Sequence, residues 1–320
     1  MSFINDRRRV LQAGAALAAS TALSARAQDL TKPLRIIVPL PAGGVADNSV
    51  RIFADQWTTQ TKQPVTVDNR PGGSYVIGMQ QIISAPADGN TWIHLNSEMT
   101  AAQATFQRYD LNRQLALIGL GGSTPGAIFV SESSPWRSVK ELTDWIRANP
   151  NKLSYGAVVG GAGHLHAANF LRKQNLTGTV IAFKGGPDSM TALAQGELQM
   201  CISALPLIIP FKGKVRALAV MTDQRSALAP DVPTYKELGL DLPELDYWGG
   251  FAAPAGTPAA TIASINRTMN DVLKHPNVTG KYMAQGMVAK GSSSEALTKM
   301  ISDDLRWMAP YANELNLRAG

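Results

Sequence analysis

The sequence predicts an α/β protein made of two lobes with largely parallel sheets. Strand-like and helix-like patterns alternate along the chain, which is typical of α/β units. Two strand–glycine–helix junctions lie about a domain apart, and the 320 residues, 45% of them hydrophobic, are enough for two ordinary cores. Ligands of open α/β sheets bind beyond the carboxyl ends of strands, so we expect both junctions to face one cleft.

The first 27 residues have the pattern of a cleavable export signal. Arg7–Arg9 precede an Ala/Leu-rich stretch, and Ala25-Arg26-Ala27 fits the A-x-A cleavage pattern, so cleavage is expected after Ala27. Arg7-Arg8 also resembles a twin-arginine signal, and both export routes stay open. The residue directly after the cleavage site is not a cysteine, which argues against a lipid anchor there. No later stretch is apolar for about 18 residues, the length that a membrane-spanning helix needs. We expect a periplasmic protein that is not embedded in the membrane.

Charge and cysteine content exclude further classes of protein. Without residues 1–27 the chain keeps 26 of its 30 basic and 23 of its 24 acidic residues, so the net charge falls from +6 to +3. No cluster of Lys and Arg with interleaved aromatic residues remains, which argues against nucleic acid as a partner. Cys201 is the sole cysteine and lies in an apolar strand pattern. We expect it to be a buried small hydrophobe rather than a nucleophile.

The individual elements follow from short local signals. The predicted strands are residues 34–40, 65–68, 91–95, 153–157, 179–183, 200–203 and 216–220. The capping box "SVKE" at 138–141 begins a helix that ends at Asn149-Pro150, and another helix runs to about Gln174. Thr257 is expected to cap a helix with Pro258 at its first position, and "SSSE" at 292–295 begins the last helix.

The two glycine junctions are the candidate ligand-binding elements. "PLPAGGVAD" follows the first strand, and "VVGGAGH" follows the strand at 153–157. A helix N-terminus has unpaired N–H groups and a partial positive charge, so a carboxylate or a phosphate is the natural ligand. Glycine pairs also serve plain tight turns, and for either loop alone the two interpretations stay open.

Six longer motifs carry a resemblance to a known family. In chain order they are "RIIVPLPAGGVAD", "VTVDNRPGGSYVIG", "ISAPADGNTW", "FKGGPDSMTALAQGELQM", "KVRALAVMTDQRSALAPDVPTYKELGL" and "YWGGFAAPAGTPAATIASIN". Residues 33–320 thereby resemble the periplasmic substrate-binding receptors of tripartite tricarboxylate transporters, the Bug or TctC family. The resemblance implies a two-lobed Venus flytrap fold with a mainly parallel sheet in each lobe. It divides the chain into 1–27 (signal peptide), 28–124 (first lobe), 125–250 (second lobe) and 251–320 (return to the first lobe).

The resemblance also implies a function and a set of site residues. The protein would be a monomeric receptor that captures a small organic acid and delivers it to membrane permease subunits, without catalysis, cofactor or metal. A carboxylate would be held mainly by the backbone of two loops, 39–47 and 158–164. The candidate ligand-binding residues, on these loops and at neighbouring cleft positions, are Pro41, Ala42, Gly43, Gly44, Asp47, Tyr75, Ser97, Glu98, Gly160, Gly161, Ala162, Gly163, His164, Lys184 and Ser203.

Some of these candidates have a second interpretation. Asp47 would repel a bound carboxylate, so we expect it to cap the helix and orient N–H groups. Ser97 and Ser203 either donate a hydroxyl to the ligand or lie in turns. Lys184 either adds charge near the cleft or is an ordinary exposed lysine.

Two departures from the family pattern bear on the choice of ligand. After Pro71-Gly72-Gly73 the usual further glycine is replaced by Ser74-Tyr75, and Glu98 stands where small polar residues are common. If Tyr75 faces the cleft, it forms a wall of the pocket. If Glu98 faces the cleft, it disfavours a second carboxylate. We therefore expect a monocarboxylate, or an aromatic or amino-bearing acid, rather than citrate.

Other functions were weighed against the receptor. An orphan receptor that presents a carboxylate to a membrane sensor kinase would use the same binding physics and stays open. A periplasmic hydrolase or isomerase with His164 or His166 as base is disfavoured, because the sequence has no G-x-S-x-G, Walker, HExxH or paired-carboxylate motif. His-x-His alone is a weak metal signal, since zinc normally needs three or four convergent ligands.

Overall fold

The computed structural model describes residues 32–315, so the predicted export signal lies outside the described residues. The strands are β1 (Leu34–Val38), β2 (Val65–Asn69), β3 (Thr91–Asn96), β4 (Leu115–Ser131), β5 (Ser154–Ala157), β6 (Thr179–Ala182), β7 (Met200–Ala204), β8 (Val215–Val220) and β9 (Asp246–Pro254). The helices are α1 (Val45–Thr61), α2 (Val76–Ile83), α3 (Ser97–Phe106), α4 (Leu111–Gln114), α5 (Val139–Ala148), α6 (Ala162–Lys173), α7 (Gly186–Ala194), α8 (Ala259–Lys274), α9 (Pro276–Ala284) and α10 (Ser294–Glu314).

The strands form two mixed sheets, one for each lobe. In the first sheet β1 pairs in parallel with β2 and β3, while β9 runs antiparallel to β3 and β4. In the second sheet β5 pairs in parallel with β6 and β7, while β4 runs antiparallel to β7 and β8. The predicted α/β two-lobed fold is confirmed, with mixed sheets in place of the mainly parallel ones expected. The parallel pairing lies among the strands that alternate with helices, and the antiparallel pairing comes from β4, β8 and β9.

β4 connects the two sheets. Its residues up to Pro125 pair with β9, and from Gly126 onward it pairs with β7. β4 and β9 were not predicted from the sequence, because glycine and proline argue against a strand. The glycines of β4 instead permit close approach of backbone: a Cβ on Gly119 would lie 2.7 Å from the Ser292 carbonyl oxygen, and one on Gly122 would lie 2.8 Å from that of Val288.

Two of the three predicted helix starts agree with the structure. Ser138 caps α5 by accepting a hydrogen bond from the Glu141 N–H, and Ser293, within "SSSE", caps α10. The Thr257 cap was wrong. α8 begins at Ala259 with Pro258 as its N-cap residue, and Thr257 donates its hydroxyl to the Pro254 carbonyl oxygen at 2.8 Å instead.

Both faces of β1 pack in hydrophobic clusters. Ile36 and Ile37 of β1 belong to different hydrophobic clusters because successive side chains of a strand point to opposite faces. α3 and α10 contribute to cores in both lobes. Met99 of α3 packs in a first-lobe cluster, whereas Ala101 and Ala104 pack in the main cluster of the second lobe. α3 therefore lies along the junction of the lobes, directly after the carboxyl end of β3.

Candidate ligand-binding site

The first glycine loop (residues 39–47) joins β1 to α1 and is largely exposed. Gly43 has φ +84°, a conformation that favours glycine. The Asp47 carboxylate is buried and accepts hydrogen bonds from the Gly43 N–H at 2.9 Å, from Arg51 Nε and from Asn69 Nδ2. Burial raises the pKa of Asp47, but these hydrogen bonds outweigh it and hold the pKa below its usual value. Asp47 therefore fixes the loop conformation. Gly44, the N-cap residue of α1, has no side chain to cap the helix.

The second glycine loop (residues 158–164) joins β5 to α6 and is mostly buried. Gly160 has φ +77°, and its N–H donates to His164 Nδ1 at 3.0 Å. The Gly161 N–H donates to the Val158 carbonyl oxygen at 2.9 Å. The N-cap residue of α6 is Gly161, which has no side chain to accept from the first turn. The loop alone therefore leaves the N–H groups of Ala162 and Gly163 without an acceptor.

Glu98 of α3 supplies that acceptor from the first lobe. Its Oε2 accepts from the Ala162 N–H at 2.9 Å, and the Gly163 N–H also donates to its carboxylate. A Cβ on Gly161 would lie only 2.1 Å from this oxygen, so a glycine is needed for the carboxylate to come so close. Burial raises the pKa of Glu98 to about 7, against the two backbone hydrogen bonds, which lower it. A carboxylate of one lobe is thus bound by the glycine loop of the other.

α3 also packs directly on the second glycine loop. Thr105 donates its hydroxyl to the Gly160 carbonyl oxygen at 3.1 Å. A Cβ on Gly160 would lie 2.8 Å from the ring of Phe106, so this glycine also allows the close contact. The Glu98 interaction is therefore part of a packed interface and does not depend on one side chain alone.

Tyrosines surround Glu98. Tyr75 and Tyr247 lie close enough to the Glu98 carboxylate for its charge to raise their pKa values, although burial contributes most. Ser74 and Tyr75 occupy the left-handed region with φ 51° and 73°, where non-glycine residues are disfavoured by roughly 1–2 kcal/mol each. The site therefore has an aromatic ring where a glycine would relieve backbone strain.

Several buried polar atoms near the start of α3 have no hydrogen-bond partner among the described residues. Ser97 Oγ and Thr100 Oγ1 are unpartnered, and the two residues are 2% and 0% exposed. At helical spacing they share a face with Ala101 and Ala104, which pack in the second-lobe core. Unsatisfied buried hydroxyls are costly, so these atoms suit a water or a polar ligand at the lobe junction.

The remaining candidates lie further from these contacts or have structural partners. Ser203 is buried on β7, and Lys184 is exposed in the turn before α7. Burial lowers the pKa of His164 and of His166 to about 4, so both are neutral at pH 7. Within residues 32–315 no group of three or more His, Cys, Asp or Glu is placed to hold a metal ion. Cys201 is buried, as expected, and burial raises the pKa of its thiol to about 11.

Two concave features have no residue of either glycine loop in their lining. A cavity of about 10 Å³ is lined by Ser49, His94 and Tyr282, among others, and His94 Nδ1 has no partner within the described part of the chain. Room for about one water molecule is all that this volume offers. A wider groove runs along the outer side of α3 beside Arg108 and Gln107 and has a volume of about 470 Å³.

The link between Glu98 and the second glycine loop was not predicted. The sequence did contain two signals for it. One is the acidic residue where small polar residues are common. The other is a loop of glycines where hydroxyl residues are usual, which removes the ordinary cap of α6. Together they indicate that a carboxylate from elsewhere replaces the missing cap.

Comparison with known proteins identifies the family. The family model described as "Tripartite tricarboxylate transporter family receptor" matches residues 49–317. A UPF0065 protein from Pseudomonas sp. (strain P51) is 31% identical over 312 residues, covering 94% of this chain and 92% of the relative. BugT of Bordetella pertussis is 27% identical over 284 residues, covering 86% of this chain and 87% of BugT.

A solved structure has the same fold. The R. palustris protein Rpa4515, determined with adipate, superposes with a TM-score of 0.81 at 28% identity, covering 88% of this chain and 98% of that protein. Within residues 32–315 the structure contains no helix with the length and apolar character needed to cross a membrane. The chain belongs to the tripartite tricarboxylate transporter receptor family, whose members are periplasmic solute-binding receptors of the TctC and Bug type.

Proposed function

We propose that this receptor captures a small organic acid in the cleft between its lobes and delivers it to the membrane permease of a tripartite tricarboxylate transporter. One observation carries the proposal: main-chain N–H groups at the start of α6 already bind a carboxylate, that of Glu98. The second glycine loop thus has the geometry and polarity for this chemical group. The adipate in the R. palustris relative supports a carboxylate as the ligand.

The first glycine loop is the proposed anchor for the ligand carboxylate. Its residues 41–43 are exposed, it lies at the positive end of the 17-residue helix α1, and the N-cap residue Gly44 has no side chain to cap that helix. Asp47 is already held by three donors and positions the loop.

The proposed mechanism is a population shift between open and closed lobes. A ligand that contacts both lobes stabilises the closed arrangement by its extra contacts in that state. We place the lobe boundaries near residues 125 and 250. Near residue 125 the pairing of β4 changes from β9 to β7, and residue 250 lies within β9. Export with cleavage after Ala27 and a monomeric state complete the proposal.

A sensor kinase could replace the permease as the partner, since both would recognise the same closed lobes. Growth or uptake on the bound acid in a strain that lacks the permease genes distinguishes the two. A hydrolase or isomerase gains no support, because the low pKa values of His164 and His166, about 4, make both weak bases at pH 7.

The proposal is tested by thermal and chemical unfolding with a panel of small carboxylates. An acid at 100 times its dissociation constant should raise the free energy of unfolding by about 2.7 kcal/mol, whereas the corresponding primary amides should not. The amides match the acids in size and lack only the charge. Equal stabilisation by acids and amides, or none by any acid, would contradict carboxylate capture.

A further inference from the structure

This inference rests on the proposed carboxylate capture and narrows the ligand class. We propose that Glu98 determines specificity: its carboxylate fills the anion position of the second glycine loop, so the cleft accepts monocarboxylates and excludes linear dicarboxylates. The ligand places its one carboxylate on the first glycine loop and a neutral tail towards Glu98.

Four consecutive N–H groups of the second glycine loop, those of residues 160–163, already donate to acceptors within the protein. The Gly160 N–H donates to His164 Nδ1, and the Gly161 N–H donates to the Val158 carbonyl oxygen. The Ala162 and Gly163 N–H groups donate to Glu98. A second ligand carboxylate could bind the N–H groups of Ala162 and Gly163 only by displacing Glu98.

Displacement of the Glu98 carboxylate from the second glycine loop would be costly. Glu98 is part of α3, which packs on the loop through Thr105 and Phe106, so the helix keeps the side chain near its position. A free carboxylate brought beside it would meet like charge in a region shielded from water, where repulsion is strong. A neutral tail meets no such penalty.

Two tyrosines lie near Glu98. Tyr75 and Tyr247 present aromatic rings and neutral hydroxyl groups, because burial raises both of their pKa values far above the usual range. Ser97 and Thr100 add buried hydroxyls on the neighbouring helix face that have no hydrogen-bond partner within residues 32–315. These groups suit an aliphatic, aromatic or hydroxylated tail, and their chemistry does not call for a second anion.

The experiment compares acids of equal length by isothermal titration calorimetry at pH 8 with the chain from residue 28. Hexanoate and adipate form one pair, and butyrate and succinate form another. The variants are Glu98→Ala, which empties the anion position, and Glu98→Gln, which keeps the shape and removes the charge. Glu197→Gln, at an exposed glutamate outside the site, is the matched control.

The wild-type protein and the control should bind the monocarboxylate of at least one pair and discriminate against its dicarboxylate. Glu98→Ala should shift the ratio of the two affinities towards the dicarboxylate by about tenfold or more, because two charge-assisted hydrogen bonds become available to it. Glu98→Gln should shift the ratio in the same direction by a smaller factor. This variant keeps the test valid if Glu98→Ala does not fold.

The outcomes separate this inference from the proposed function. Tighter binding of a dicarboxylate than of its matched monocarboxylate by the wild-type protein, or an unchanged ratio in both Glu98 variants, overturns the inference and leaves carboxylate capture intact. No binding of any carboxylate by any of the proteins overturns the proposed function, and the inference fails with it.

Discussion

Glu98 is unusual among the acidic residues of this chain because its charge is held mainly by main-chain groups. Helix α6 begins with glycines and has no cap of its own, so its first N–H groups need an acceptor. A glutamate 64 residues earlier provides one from the opposite lobe. Burial of the carboxylate opposes this contact, and the two N–H donors and the helix dipole favour it. The pKa of about 7 expresses that balance.

The raised pKa predicts a pH-dependent contribution of Glu98 to stability. The pKa is 4.5 in the unfolded reference and about 7 in the folded protein, so the contribution is fully present below pH 4.5 and is lost as the pH rises through 7. Relative to Glu98→Gln, the wild-type protein should lose up to about 3 kcal/mol of unfolding free energy between pH 4.5 and pH 8. Urea unfolding of both proteins across this range measures the difference.

Three buried histidines titrate in part of the same pH range. Their effect is the same in the wild-type protein and in Glu98→Gln, so it cancels when the two stabilities are subtracted. Burial lowers the pKa values of His94, His164 and His166 to about 4, so acidification below pH 6.5 destabilises both proteins alike. Parallel stability curves for the wild-type protein and Glu98→Gln would show that Glu98 has an ordinary pKa and is solvated.

Much of the site could be predicted from local sequence, but its connections could not. The glycine loops, Asp47 as an orienting group and the unusual position of Glu98 all follow from short motifs. The partner of Glu98 depends on how two distant elements dock, and no local periodicity encodes that. Asp47 turned out to bind the Gly43 N–H rather than to cap the first turn of α1. The geometry of a turn with positive φ decides this.

At the scale of the element, replacing a helical glycine with alanine should change the stability in opposite directions, depending on what surrounds the glycine. Gly163 lies in the first turn of α6, and a Cβ there would lie 2.5 Å from the Ile202 carbonyl oxygen. Gly280 lies inside α9, and a Cβ there would have nothing within 4 Å. We expect Gly163→Ala to destabilise the protein by about 1–3 kcal/mol. The matched change Gly280→Ala should stabilise it by about 0.5–1 kcal/mol.

Urea unfolding of the two alanine variants measures both effects. The gain at Gly280 reports helix propensity alone, so it is the control for the steric cost at Gly163. If Gly163→Ala were as stable as the wild-type protein, α6 and β7 would be further apart than described, and the second glycine loop would have a different shape.

Most helices and strands were predictable because their start and end residues and their pattern of apolar residues are visible in the local sequence. The strands that alternate with helices, β1 to β3 and β5 to β7, have apolar runs bounded by turn residues. β4 and β9 escaped prediction because their glycines serve close packing against α8, α10 and each other, which is a tertiary property. The Thr257 cap failed for a similar reason, since the Pro254 carbonyl oxygen competes for its hydroxyl group.

At the scale of the whole molecule, α3 and α10 connect the lobes in addition to β4 and β9. α3 carries Glu98 and Thr105 onto the second glycine loop. The last turns of α10 pack on α6, where Trp307 lies edge-on to His166 at a centroid distance of 4.6 Å. The two lobes were predicted from the sequence. These connections were not predicted, because they join surfaces far apart in the chain.

As the central claim, we propose that main-chain N–H groups of the first glycine loop bind a ligand carboxylate, while N–H groups of the second glycine loop stay bound to the carboxylate of Glu98. Amide ¹H–¹⁵N spectra of the deuterated protein, recorded during titration with a monocarboxylate that binds, test it most directly. The largest shift changes should fall on Gly44 and Val45, with smaller changes at Ala162 and Gly163. Changes confined to the groove beside Arg108, or to any face away from both loops, would contradict the claim.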